Sequence, residues 1–281
     1  MLKRAITAVI IVLVTVPLCF LTHTWALPVA ASLLALVAIY EMLGCIGIRK
    51  FWRISLPAYA LAVILPILCR LIPDETVACA AGAAMLFVFL FYLLTVGVFS
   101  GGALDAEKIF ASFTPTFYVI AGFSSLVLLA DASYGFSFQF FFVTLYGPWI
   151  SDVFAYLCGR WFGRHKLIPS ISPKKTVEGM IGGIVFTTLF TVLWGGAVNN
   201  FMSSVTNVSY LSMAIAGVLV SVMSQIGDLI MSFIKRKYGI KDFGVILPGH
   251  GGILDRFDSV LSVAPFMLFL TVFQDSLHFF Q

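Results

Sequence analysis

The sequence predicts an all-α polytopic membrane protein of about nine transmembrane helices, with its N-terminus in the cytoplasm. Three observations carry that expectation. Of the 281 residues, 60% are hydrophobic and only 11% charged, whereas soluble domains carry about 25% charged residues. Apolar runs approach, again and again, the roughly 20 residues that a helix needs to cross a bilayer core of about 30 Å. Lysine and arginine collect almost wholly in alternate connecting segments. A soluble reading would need a core larger than a chain of this length can enclose. The short alternating segments of a membrane barrel are absent.

The first run, 4–22, follows Met1-Leu2-Lys3-Arg4 and looks like a signal peptide. Signal peptides end at a small-residue cleavage site and release a polar chain. Here apolar segments continue at once, so the run reads as an uncleaved first helix. Runs 25–43, 54–72 and 77–98 follow. The fifth, 115–131, is the shortest and is interrupted by Gly122. Runs 137–158, 179–198, 208–230 and 258–276 complete the set. Basic residues stay preferentially on the cytoplasmic side. With the N-terminus inside, sixteen of the 17 lysines and arginines fall there, and only Arg70 falls outside. The C-terminus is then on the outer face. The longest polar stretches, 160–178 and 231–257, are both cytoplasmic, so function belongs at that surface or inside the bundle. Cys19, Cys45, Cys69, Cys79 and Cys158 form no CxxC pair and no zinc spacing with histidine; they read as structural thiols.

An ionisable group at the bilayer centre costs about 2.5–3.5 kcal/mol on insertion scales, so each one needs a reason. Two acids are expected within apolar helices: Asp152, shortly after Gly147 and Pro148, and Asp228, preceded by Ser221, Ser224 and Gln225. Beyond Asp228 comes the segment Ser232–Asp258. It combines the cations Lys235, Arg236, Lys237 and Lys241 with His250 and the glycines 239, 244, 249, 251 and 252. Glycine-rich backbone lets N–H groups approach an anion closely. Asp255 and Asp258, three apart at the start of the ninth helix, share a face. Pro248, Gly249, Gly251 and Gly252 make its approach irregular, which a membrane tolerates only where backbone lines a wet cavity.

Carboxylates beside phosphate-binding cations point to a hard divalent metal, since magnesium takes one or two carboxylates plus substrate phosphate oxygens. Taken singly, the cations could be topogenic charge and the acids could answer the helix dipole. Neither account explains the glycines or the histidine. A second stretch, Ser170–Gly179, offers Ser172 and Pro173 as an N-cap and N1 pair. Lys174 and Lys175 would then lie in a first helical turn, as a phosphate site or as another positive-inside loop.

The run from Ser232 to Asp258 resembles the signature of the phosphatidate cytidylyltransferases, the CDP-diacylglycerol synthases of bacterial membranes. The matching residues are Ser232, Lys235-Arg236, Lys241-Asp242, Gly244, Leu247-Pro248, His250-Gly251-Gly252 and Asp255-Arg256-x-Asp258. Asp152, Gly159-Arg160, Ser172–Thr176, Glu178-Gly179 and Gly227-Asp228 also look like that family. The resemblance is strong over about 145–260. It divides the chain into N-terminal membrane helices, 1–135, and a C-terminal catalytic membrane region, 136–281.

The resemblance implies transfer of a cytidylyl group from CTP to phosphatidic acid in a bacterial inner (plasma) membrane, with the site on the cytoplasmic side. It implies Mg2+ on Asp228 and Asp255, with Asp258 as a further ligand or supporting partner, and a second, monovalent cation such as K+. Lys235 and His250 join the three acids as catalytic residues. Lys174, Lys175, Arg236, Lys241 and Arg256 are expected to contact nucleotide or lipid phosphate. A homodimer is implied, and no nucleic-acid partner. A transporter would instead place its acids deep between inverted repeats. The DGxxAR motif of CDP-alcohol phosphatidyltransferases and the P-loop pattern are both missing.

Overall fold

The computed structural model describes residues 13, 15–101, 104–131, 137–201, 208–246, 251–271, 273 and 279. Their elements are α1 (Ala26–Ile46), α2 (Trp52–Leu71), α3 (Glu75–Val98), α4 (Ala106–Asp131), α5 (Ser137–Phe162), β1 (Lys166–Ile168), β2 (Ser172–Thr176), α6 (Val177–Phe201), α7 (Tyr210–Lys237) and α8 (Leu254–Thr271). Residues 15–20 are helical as well, and most of the first apolar run lies outside the described residues. The chain is an all-α membrane protein. Among the described residues seven helices, α1 to α7, are long and apolar enough to cross a membrane. The eighth is shorter, with 18 residues, and carries Asp255, Arg256 and Asp258 near its start.

The fifth run is longer than its hydropathy suggested. Asp105 accepts a hydrogen bond from Lys108 N at 2.8 Å, capping a helix that starts at Ala106 and gains more than two turns over the apolar stretch. Fifteen of its 26 residues are buried, Gly122 among them, so that glycine sits in packed interior and does not break the element.

The chain forms two compact units, residues 1–131 with 237–257, and residues 132–236 with 258–281. In the first, α1 packs on α2 and α4, α2 on α4, and α3 on both α2 and α4. Turns are tight. Gly47, at φ 80°, closes α1 in the left-handed conformation that glycine adopts without steric cost. Asp74 caps α3 through Val77 N at 3.0 Å. Arg70, the one basic residue that the sequence pattern assigns to the outer side, forms an ion pair with Asp131. It also donates to the Thr22 and Thr24 carbonyls, at 2.9 Å each. Its charge is answered locally, which accounts for the exception to the basic-residue pattern.

In the second unit α5 and α6 run antiparallel along a seam of small residues. A Cβ on Gly179 would stand 3.2 Å from Gly159 Cα, and one on Gly183 would meet Ser151 O at 3.0 Å. Small residues let membrane helices approach closely. Phe154 stacks on Phe186 with centroids 4.0 Å apart, and Phe142 on Trp194 at 4.1 Å.

Between the two helices lies the antiparallel hairpin β1–β2, and here the expectation for Ser172-Pro173 fails. These residues open a strand, and α6 starts at Val177. The cap is Thr176, whose Oγ1 accepts from Gly179 N at 3.1 Å. Lys174 and Lys175 are therefore strand residues, not the first turn of a helix. The hairpin is stapled from afar: Glu178 contacts His165 Nδ1 at 2.6 Å, and Arg236 Nε donates to Ile171 O at 3.3 Å.

Candidate active site

α7 carries a polar stripe at helical spacing: Ser221, Ser224, Gln225, Asp228 and Ser232. Near its middle the stripe ties three helices together. Ser151 and Ser221 share a hydrogen bond of 2.7 Å. Gln225 Nε2 donates to Ser221 Oγ at 3.0 Å and to Met180 O at 3.2 Å. Hydrogen bonds of this kind hold helices together where lipid supplies no hydrophobic drive.

One turn on, the stripe becomes charged. Lys175 Nζ, from β2, lies 2.6 Å from Asp228 Oδ2, with both side chains about one quarter exposed. Ser232 Oγ donates to Asp228 Oδ1 at 3.3 Å. Asp258, buried at the start of α8, is within electrostatic reach of Asp228, Lys235 and Asp152. It accepts from Ser259 N at 2.9 Å, while Ser259 Oγ donates to Asp152 Oδ2 at 3.2 Å. Gly227 makes this approach feasible: a Cβ there would stand 2.7 Å from Ser262 Cβ and 3.1 Å from Asp258 O. The second unit thus gathers three acids, two lysines and two hydroxyls. Among the described residues no three metal-ligating side chains are close enough to form a ready-made metal site.

The first unit builds a different structure around Asp255. Its Oδ2 accepts from Phe243 N at 2.8 Å and from Gly252 N at 2.9 Å, drawing the glycine-rich loop onto the start of α8. Gly251 has φ 83°, and a Cβ there would stand 2.8 Å from Asp255 Oδ2. A second acid, Glu41 of α1, completes the bracket. It is buried and accepts from Ile253 N at 3.1 Å and Leu254 N at 2.9 Å. These are two of the N–H groups that a helix start leaves without intrahelical partners. Glu41 therefore caps a helix more than 200 residues away. Sequence reasoning missed it, although a lone acid in an apolar run was the signal that singled out Asp152 and Asp228.

The remaining expected residues are placed as follows. Lys235 is buried, and Lys174, Arg236 and Lys241 are exposed. Arg256 is half-buried. His250, with Leu247, Pro248 and Gly249, lies outside the described residues.

A model of the cytidylyltransferase family matches residues 2–273. The chain belongs to the cytidylyltransferase family. Among similar proteins are phosphatidate cytidylyltransferases of three staphylococci. That of Staphylococcus haemolyticus (strain JCSC1435) is 35% identical over 285 residues, covering 96% of this chain and 98% of the relative. Those of Staphylococcus aureus (strain COL) and Staphylococcus epidermidis (strain ATCC 35984) are also 35% identical, with the same coverage. In this family member the acid and lysine group of the second unit and the bracketed loop of the first both fall inside the matched region.

Proposed function

We propose that the chain transfers the cytidylyl group of CTP to phosphatidic acid, giving CDP-diacylglycerol and pyrophosphate for phospholipid synthesis. The observation that carries this reading is likeness to phosphatidate cytidylyltransferases along 96% of the chain. A phosphatidate oxygen attacks the α-phosphorus of CTP; a new P–O bond forms, the α–β bridge breaks, and pyrophosphate leaves with that electron pair. Phosphate monoesters have a second pKa near 6, so the nucleophile is already largely ionised at neutral pH. No strong general base is needed. The reaction needs instead two mutually repelling anions held in line.

The side chains suit that task. Asp228, Asp255 and Asp258 are the proposed magnesium ligands, carboxylates of the hard oxygen type that this metal prefers; a monovalent cation belongs to the same proposal. Bound there, the metal would neutralise phosphate charge. Lys175 and Ser232 orient the Asp228 carboxylate. Lys235 adds positive charge within electrostatic reach of Asp258. Lys174, Arg236, Lys241, Arg256 and His250 are proposed phosphate contacts. The lipid enters from the bilayer and CTP from the cytoplasm, which places the site at the cytoplasmic face of the plasma membrane. A homodimer is part of the proposal and is checked by mass measurement in detergent.

The test uses purified protein, labelled CTP and phosphatidate. Pyrophosphate release is expected only with a divalent metal, and metal-independent or absent turnover would sink the assignment. Asp228→Asn and Asp255→Asn are each expected to lower turnover at least about a hundredfold with membrane insertion unchanged. Near-normal activity in both would remove the metal proposal.

A further inference from the structure

The first unit contains a cavity of about 300 Å³ lined by Lys50, Phe51, Trp52, Arg53, Val96, Ser100 and Leu104. None of these residues takes part in the acid and lysine group or in the bracketed loop. The cavity sits where α2 begins and α3 ends, just before α4. Tyr92 OH donates to Arg53 O at 2.9 Å, tying α3 to the start of α2. Ser100 Oγ donates to Gly97 O at 2.7 Å and accepts from Leu104 N at 3.1 Å, which shapes the opposite wall.

Its chemistry is two-sided. Two cations line it, and no acid does among the described residues. The Arg53 guanidinium stands 5.7 Å from the Trp52 ring centre, within cation–π range. The first turn of α2 has no side-chain cap; Ile54 N and Ser55 N donate to Phe51 O, and the N–H groups of Trp52 and Arg53 add to the positive character. The neighbouring surface is apolar: Trp52 of the lining is 65% exposed, and Val98 and Phe99, between the lining residues Val96 and Ser100 in sequence, are 78% and 80% exposed. Tryptophan favours the level where headgroups meet acyl chains. The basic-residue pattern puts this end of the helices in the cytoplasmic leaflet. A soluble anion would satisfy the lysine and arginine but leave the apolar rim uncovered. A lipid with an anionic head satisfies both.

We propose that this cavity binds the headgroup of an anionic phospholipid from the cytoplasmic leaflet, with the phosphodiester at Lys50 and Arg53 and the acyl chains over Trp52, Val98 and Phe99. Each basic residue near an anionic surface is worth roughly fivefold in partitioning, so the pair is expected to give about a 25-fold preference for an anionic over a zwitterionic lipid.

The test reads binding without CTP, so it stands apart from the proposed activity. The full chain is placed in phosphatidylcholine nanodiscs containing brominated phosphatidylglycerol or, at equal mole fraction, brominated phosphatidylcholine. Quenching of Trp52 is taken as the difference between the protein and its Trp52→Phe variant. Expected is the stated preference for phosphatidylglycerol in the native protein and its loss in Lys50→Gln/Arg53→Gln. Equal quenching by both lipids, or a preference that survives the double substitution, overturns the proposal. Abolition by excess inorganic phosphate overturns it in favour of a free-anion site. If the double variant is misfolded, Lys50→Arg/Arg53→Lys decides: the preference must persist there, and its loss refutes the site.

Discussion

Replacing Glu41 tests whether a side chain in the first described transmembrane helix governs the glycine-rich loop near the other end of the chain. Its carboxyl oxygens accept from Ile253 N at 3.1 Å and Leu254 N at 2.9 Å. Glutamine has a single acceptor oxygen, so Glu41→Gln leaves one of these N–H groups facing an NH2 donor. A buried donor left unpaired costs roughly 1–3 kcal/mol. Glu41→Leu removes both acceptors and costs about 2–6 kcal/mol on the same basis, with Gly244 and Gly252 leaving no Cβ bulk to rearrange around it. The direct assay is amide exchange on peptides covering 251–257, read with thermal unfolding and CTP turnover in detergent. Exchange there is expected to quicken by roughly tenfold in the glutamine variant, since 1.4 kcal/mol is a factor of ten, and further in the leucine variant. Turnover is expected to fall in the same order. If both variants exchange and turn over like the native protein, Glu41 does not hold the loop.

Gly227→Ala is expected to cost about 1–3 kcal/mol by overpacking, because the added carbon would meet Ser262 and the Asp258 carbonyl. Unfolding temperature and turnover should drop together, and an unchanged unfolding temperature refutes the close approach. Arg70→Met strands the Asp131 carboxylate, and breaking a buried pair from one side costs up to about 3–5 kcal/mol. The two side chains are 13% and 20% exposed, so the loss should fall at or below the lower end. Arg70→Met/Asp131→Leu should recover much of it, and equal unfolding temperatures for single and double variants would show that the pair carries no weight.

The membrane class was legible because lipid imposes long apolar runs, and runs survive any detail of packing. Boundaries were less so. The fifth run stopped at residue 115 in hydropathy because Lys108 and Glu107 precede it, yet Asp105 caps a helix that begins before both. The β1–β2 hairpin was invisible because its strands are three and five residues long and polar. It is anchored by Arg236 and Glu178, which no local pattern announces. In the candidate site, Asp228 and Asp258 stood out as acids at helical positions, and the structure does bring them into electrostatic reach of each other. Their setting could not be read: Lys175 reaches Asp228 from a strand, and Ser259 links to Asp152 across 107 positions. Asp255 was legible as an acid, and its grip on Phe243 and Gly252 was not, since that depends on how the loop folds back.

The cap supplied by Glu41 has a temporal side. Its partners are made 212 and 213 residues later, and ribosomes add about 5–20 residues per second. For roughly 10–40 s of synthesis at that rate, α1 holds an acid in an apolar helix with its final partners still untranslated. Helices α1 to α4 can insert during that interval, before the cap at Ile253 and Leu254 can form. Completion of the N-terminal fold and arrival of the glycine loop thus become a single late event, and a nascent chain stalled before residue 253 would carry an unmatched buried acid for membrane quality control to detect.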